Sequence, residues 1–172
     1  METPVEFPTD RLQFLIGKQG RTRQILERMG GVSIAIRGGS VTVSGDDPLK
    51  VMKAKEVVRA IGLGFKLNQI STLFNPDTQL AVFDVRDACA NERDALRQVG
   101  RIIGDKGKNK RMLEKKMNID ISINDFSVAA IGEPENLQVF KEAIEKMAHG
   151  SPHSTIYRHI EQRMAGILRH GF

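Results

Sequence analysis

LIGKQGRTRQILERMGGVSIAI (Leu15–Ile36) and IIGDKGKNKRMLEKKMNIDISI (Ile102–Ile123) align without a gap at a spacing of 87 residues. Each carries a Gly-x-x-Gly tetrad near its start, Gly17-Lys18-Gln19-Gly20 in the first and Gly104-Asp105-Lys106-Gly107 in the second. The same spacing lays Leu26 over Leu113, Glu27 over Glu114, Ile34 over Ile121, Ile36 over Ile123 and Gly45 over Gly132. One such tetrad is a weak signal. Two in a common register, each leading into helix-spaced and then alternating apolar residues, mark an internal repeat. A glycine turn that opens a helix is a phosphate-gripping element, so the repeat points to nucleic acid.

Around the tetrads the first half reads strand, helix, helix, strand, strand, helix. Val5–Phe7 is expected as a short strand ended by Pro8, with Thr9 or Asp10 capping a helix that runs through Leu12 and Leu15 to the first tetrad. Ile25, Leu26 and Met29 then recur at helical spacing until Gly30-Gly31 stops the run. Val32, Ile34 and Ile36 alternate, Gly38-Gly39 turns the chain, Val41 and Val43 alternate again, and Pro48 opens a helix reaching about Ile61. The second half repeats this order, with strand 80–85, helix 91–103, the tetrad, a helix through Met117, strands 119–123 and 127–131, and a helix from Pro134.

Two further segments complete the chain. Phe65–Phe74 reads as a short amphipathic bridge closed by the Asn75-Pro76-Asp77 turn, which predicts two domains held as a rigid pair. Ser151-Pro152 starts a last helix with Ile156, Ile160, Met164 and Ile167 or Leu168 on one face, a stripe expected to pack as core. The class is α+β. It comprises a first domain (1–62), a bridge (63–78), a second domain (79–149) and a C-terminal helix packed on the domains (150–172), each domain a three-stranded sheet with helices on one face.

At 172 residues, with 40% hydrophobic and 27% charged, the chain is long enough for two small domains. No apolar run approaches the length of about 20 residues that spans a membrane, and the N-terminus lacks a basic-then-apolar signal pattern. A cytoplasmic protein without membrane association is expected. Cys89 is the only cysteine, which excludes an internal disulfide and any multi-cysteine metal site. The net charge is +5 and is unevenly placed: five basic residues and one acid lie between Arg11 and Arg28, seven basic residues and two acids between Arg101 and Lys116. The rest of the chain is slightly acidic, so the positive charge gathers on and just behind the tetrads.

That placement has a chemical meaning. Glycine tolerates the backbone angles of a tight turn and leaves room for a phosphate to approach the main chain, while the next helix offers unpaired N–H groups there. Gly17, Gly20, Gly104 and Gly107 are the candidate turn residues. Lys18 and Gln19 in the first loop and Lys106 in the second add donors, with Asp105 an acid within the second site. Arg21, Arg23, Lys108, Lys110 and Arg111 line the following turns for neighbouring phosphates. Neither repeated segment contains an aromatic residue, which argues against a stacking platform. A groove walled by aliphatic residues remains, with Ile34, Ile121 and the strand-end Arg37 as candidate contacts.

A Gly-x-x-Gly between two helices, followed by two strands and a helix, resembles the type I KH domain, an RNA-binding module. More narrowly, VVRAIGLGF (Val57–Phe65), GRIIGDKGKNKRMLE (Gly100–Glu114) and HGSPHSTIYRHIE (His149–Glu161) resemble the archaeal relatives of the eukaryotic partner-of-Nob protein, a two-KH small-subunit assembly factor. The similarity covers nearly the whole chain. It implies binding of single-stranded RNA at the 3′ end of small-subunit ribosomal RNA, service to rRNA processing together with other processing factors, and association with the alpha subunit of translation initiation factor two. It implies no cofactor and no small-molecule substrate. Two departures stand out: family members carry a basic or neutral residue where Asp105 stands, and a glycine-lysine turn where this chain has Asn124-Asp125-Phe126.

Other classes fit less well. His149 and His153 are four apart, but Gly150, Ser151 and Pro152 between them keep one helical face from presenting both, and no carboxylate cluster accompanies them. Gly107-Lys108 is followed by Asn109, which excludes a Walker P-loop. The chain is therefore expected not to be an enzyme. A KH-based protein scaffold in translation initiation with a single RNA-competent domain, or a single-stranded DNA binder, stand as alternatives.

Overall fold

The computed structural model describes residues 1–170, which divide between Pro76 and Asp77 into two compact units. The last two residues of the expected C-terminal helix segment lie outside the described residues.

In the first unit, β1 (Glu2–Val5), β2 (Ser33–Arg37) and β3 (Ser40–Ser44) form an antiparallel sheet in the order β1-β3-β2. Register pairs Val5 with Val41 and Ile34 with Val43, so the buried residues of all three strands share one face. Against that sheet lie α1 (Leu12–Ile16), α2 (Arg21–Gly30) and α3 (Pro48–Gly62); α3 packs on β1, β3, α1 and α2. Asp47 caps α3 by accepting the amides of Leu49 and Lys50, and Pro48 occupies the first turn, where its missing N–H costs nothing. The bridging segment forms a single turn, α4 (Leu67–Ile70), and a 3-10 turn (Ser71–Phe74); Phe65, Ile70 and Leu73 are buried.

The second unit repeats the plan with a longer first strand and first helix. Strands β4 (Gln79–Asp84), β5 (Asp120–Asn124) and β6 (Ser127–Gly132) pair antiparallel in the order β4-β6-β5. Helices α5 (Glu92–Ile103), α6 (Lys108–Met117) and α7 (Pro134–Ala148) cover one face, and Asn91 caps α5 by accepting the Asp94 amide. The core joins Ile102, Leu113, Met117, Ile121, Val128, Phe140 and Ile144 to Ile156 and Ile160 of the last helix, α8 (His153–His170). Of the expected C-terminal stripe, Ile156 and Ile160 are core and Met164 and Ile167 pack half-buried against it, while Leu168 is 65% exposed. No described helix is long and apolar enough to cross a membrane.

The expected element order holds in both halves, with two corrections near the N-terminus. The first strand is Glu2–Val5, so of the expected segment only Val5 belongs to it. Neither Thr9 nor Asp10 caps a helix with its side chain: Thr9–Arg11 forms a 3-10 turn and α1 begins at Leu12.

Candidate nucleic-acid interface

Each tetrad links two helices with the same backbone. Gly17 has φ 72° and ψ 175°, Gln19 φ 54°, and Gly20 φ 74°. The second tetrad gives φ 74° and ψ 175° at Gly104, 51° at Lys106 and 75° at Gly107. The first glycine of each is sterically required: a Cβ on Gly104 would lie 2.7 Å from the Cβ of Asn109, and one on Gly17 would lie 2.6 Å from that of Thr22. The chain thus packs against the helix that follows. In both turns the third residue is left-handed without being glycine, a conformation that disfavours side chains. It leaves Gln19 and Lys106 exposed.

Behind the turns, α2 and α6 begin just after Gly20 and Gly107 with no side chain capping their first amides. The open N-terminus and helix dipole favour an anion there. Arg21 and Lys108, the first helical residues, are exposed, as are Lys18 and Arg111. Arg111 also donates to the Lys106 carbonyl at 2.8 Å, bracing the second turn from within. Asp105 is exposed beside it, in the place Lys18 takes in the first turn, so the two sites share a shape but differ in charge.

The basic runs are not all available to a ligand. Arg11 donates to the Ile61 carbonyl at 3.1 Å and lies over the Phe14 ring at 4.5 Å. Arg101 donates to the Ser151 carbonyl at 2.6 Å and to Gln98 at 2.7 Å. Lys116 pairs with Glu161 at 2.6 Å and faces the Tyr157 ring. These three cations bolt elements of their own unit together. Arg23 and Lys110 are half-buried beside Glu27 and Glu114, at 4.0 and 3.4 Å. The sequence signal for those two glutamates is their shared place in the repeat.

Ile34 and Ile121 need a correction. Their side chains are 2% and 1% exposed and belong to the core, so neither walls a groove. Strand alternation defines two faces, and the face turned to the helices is the one that holds them. The apolar surface beside the turns comes instead from Ile16, 38% exposed, and Met112, 36% exposed, with Ile25, Ile36, Ile103 and Ile123 half-buried. Arg37 is exposed at the end of β2, next to the Gly38-Gly39 turn. In the matching hairpin Asp125 takes the left-handed position, φ 51°. There the Arg86 guanidinium lies 4.9 Å over the Phe126 ring and forks onto Asp84, holding that carboxyl below its usual range.

Known proteins share this fold. A family model for the second KH domain of PNO1, described as a eukaryotic type KH-domain (KH-domain type I), matches residues 79–165. A general KH domain model matches residues 2–60. The structure of Dim2p from Pyrococcus horikoshii superposes with a TM-score of 0.86 at 36% identity, over 94% of this chain and 99% of that one. The chain belongs to the PNO1/Dim2 family of KH-domain proteins. Within that family, a KH domain-containing protein of Methanocaldococcus jannaschii is 35% identical over 98% of this chain and 76% of its own length. The pre-rRNA-processing protein pno1 of Schizosaccharomyces pombe is 28% identical over 77% of this chain and 55% of its own. The chain therefore spans about half the length of such eukaryotic PNO1 relatives. A second P. horikoshii structure, a complex of a/eIF2alpha, aDim2p and rRNA, matches with a TM-score of 0.86 at 36% identity, over 96% of this chain and 95% of that one.

Proposed function

We propose that this PNO1/Dim2-family protein binds single-stranded RNA at its two glycine turns. We further propose that the strand is the 3′ end of small-subunit ribosomal RNA, held in place during ribosome assembly and rRNA processing. The observation that carries the reading is the identity of the two turns: one glycine-dependent backbone, used twice, each time ahead of an uncapped helix that starts with a cation. Phosphates fit the turns and helix starts, with Lys18, Arg21 and Arg37 serving the first site and Lys106, Lys108 and Arg111 the second. Modules 1–62 and 79–149 are the two binders in this reading, joined by 63–78, with 150–172 serving the second. The name of the S. pombe relative and the rRNA in the aDim2p complex support the RNA class. The a/eIF2alpha of that complex supports the alpha subunit of translation initiation factor two as a protein partner. The protein acts by holding a strand, without chemistry of its own, in the cytoplasm where the subunit works.

The test is fluorescence anisotropy with a labelled strand matching the 3′ end of small-subunit rRNA, beside a scrambled strand, a DNA strand of the same sequence and a duplex, across salt. Preference for the native RNA strand, lost on Lys18→Asp with Gln19→Asp or on Lys106→Asp, supports the reading. Equal weak binding to every nucleic acid, indifferent to both loops, overturns it. Asp105 favours one refinement, in which the first domain grips RNA more strongly and the second more weakly. Its signature is a larger loss from the first-loop variant.

A further inference from the structure

Asn109, the second residue of α6, is 5% exposed and uses both ends of its side chain. Its Nδ2 donates to the carbonyls of Ile102 and Arg101, at 3.0 and 3.2 Å, on the last turn of α5. Its Oδ1 accepts the hydroxyl of Tyr157 on α8. Its Cβ fills the space that a side chain on Gly104 would need. The residue is therefore held between the glycine turn on one side and the C-terminal helix on the other.

Tyr157 is itself fixed. Ile156 and Ile160, flanking it on α8, are fully buried, and Ile156 follows the Arg101 to Ser151 hydrogen bond at the start of that helix. The Lys116 ammonium lies 5.3 Å from the Tyr157 ring centroid and pairs with Glu161 one turn along. His153 stacks on the same ring at 6.0 Å. In the first domain Thr22 takes the place of Asn109, and Ile70 of the short turn α4 stands at the position of Tyr157, so that repeat lacks the hydroxyl partner.

We infer that α8 braces the second glycine turn in a backbone that the first turn reaches without such a helix, with Asn109 and Tyr157 as positioning residues for RNA binding there. The inference rests on the reading of that turn as an RNA site. The turn holds Lys106 in a left-handed conformation that costs energy in isolation, so the surrounding groups must over-determine it. A turn held ready loses less freedom on binding, and a loosened one binds more weakly without losing a direct contact.

The experiment compares the full chain with Tyr157→Phe, Asn109→Thr, the double variant and Lys106→Asp. Its readouts are single-strand RNA affinity, thermal midpoint, and amide hydrogen exchange across residues 105–108. The expected result is a loss of about three- to tenfold in affinity for each positioning variant, the scale of one net hydrogen bond. The double variant should lose no more than the worse single one, and exchange should quicken in the turn while core amides hold. If Lys106→Asp weakens binding and the two positioning variants bind like the parent, the inference is overturned and the RNA reading stands. If Lys106→Asp itself binds like the parent, the RNA reading of this turn fails and the inference falls with it.

Discussion

Glu114 accepts the backbone amide of Ile121 at 2.9 Å, across the corner from α6 into β5. Glu27 does the same for Ile34 at 2.7 Å. Both carboxylates sit within basic helices, where an acid opposes a phosphate strand, yet each satisfies a half-buried amide on an edge strand. Glu114→Ala orphans that amide and is expected to cost about 1–3 kcal/mol of stability. Glu114→Gln keeps an acceptor and should cost clearly less, with the same ordering at Glu27. Urea unfolding of the four variants checks this. Equal losses for Ala and Gln would mean that the ion pair with Lys110 or Arg23 matters more than the hydrogen bond.

The glycines of one tetrad are unequal. Gly107 is left-handed, which costs an alanine about 1–2 kcal/mol, whereas Gly104, at φ 74° and ψ 175°, occupies a region essentially reserved for glycine. Gly107 has open space apart from the movable Arg111 guanidinium at 3.1 Å, so Gly107→Ala should lose little more than that backbone cost. A Cβ on Gly104 lies 2.8 Å from the Asn109 backbone nitrogen, and relieving that overlap adds about 1–3 kcal/mol. Denaturant midpoints of the two variants should therefore separate, with Gly104→Ala the less stable. Coincident midpoints would show that the helix start yields.

Much of this was legible beforehand because it rests on local rules. The repeat, both hairpins and the turn glycines follow from spacing and from residues that only tight turns need. What escaped depends on partners far away in the chain. Arg101 looks like one cation of a run, but its acceptor is the carbonyl of Ser151, fifty residues on. Lys116 similarly finds Glu161. Ile34 and Ile121 lie on alternating strands, and only helix packing decides which face is buried. Pro4 obscures the first strand, which runs from Glu2 to Val5. Proline is tolerated on this edge strand, whose register is set by pairing with β3.

Glu142 on α7 accepts from Arg163 Nε and Nη2 on α8, at 3.0 and 3.1 Å, and lies 2.8 Å from His159 Nε2. The Arg163 hydrogen bonds are the main cause that holds the Glu142 carboxyl below its ordinary value near 4.5, against a smaller opposing effect of burial. A carboxyl lowered on folding stabilises the native state above its unfolded pKa, and this contribution is lost as pH falls through the folded value. Because the pair is partly exposed, its neutral-pH worth is about 0.2–1 kcal/mol. Glu142→Gln should therefore be less stable than the parent at neutral pH and equal to it well below the carboxylate range. A difference that persists undiminished in acid would assign the loss to packing of α7 on α8.

Arg101 and Lys108 lie in one basic run but do different work. Lys108 is the exposed first residue of α6, whereas Arg101 spends its guanidinium on Gln98 and on the carbonyls of Met147 and Ser151. Removing one phosphate contact to a single strand lowers the log-log salt slope by about 0.7. Lys108→Ala should show that change with little effect on stability, since an exposed surface substitution typically moves stability by less than about 0.5 kcal/mol. Arg101→Ala should leave the salt slope unchanged while destabilising the fold, because the Met147 carbonyl at the end of α7 and the Ser151 carbonyl ahead of α8 lose their donor. Titrations at several salt concentrations, paired with urea unfolding of both variants, separate the two roles. A lowered slope for Arg101→Ala would show that this guanidinium leaves its carbonyls to meet the strand.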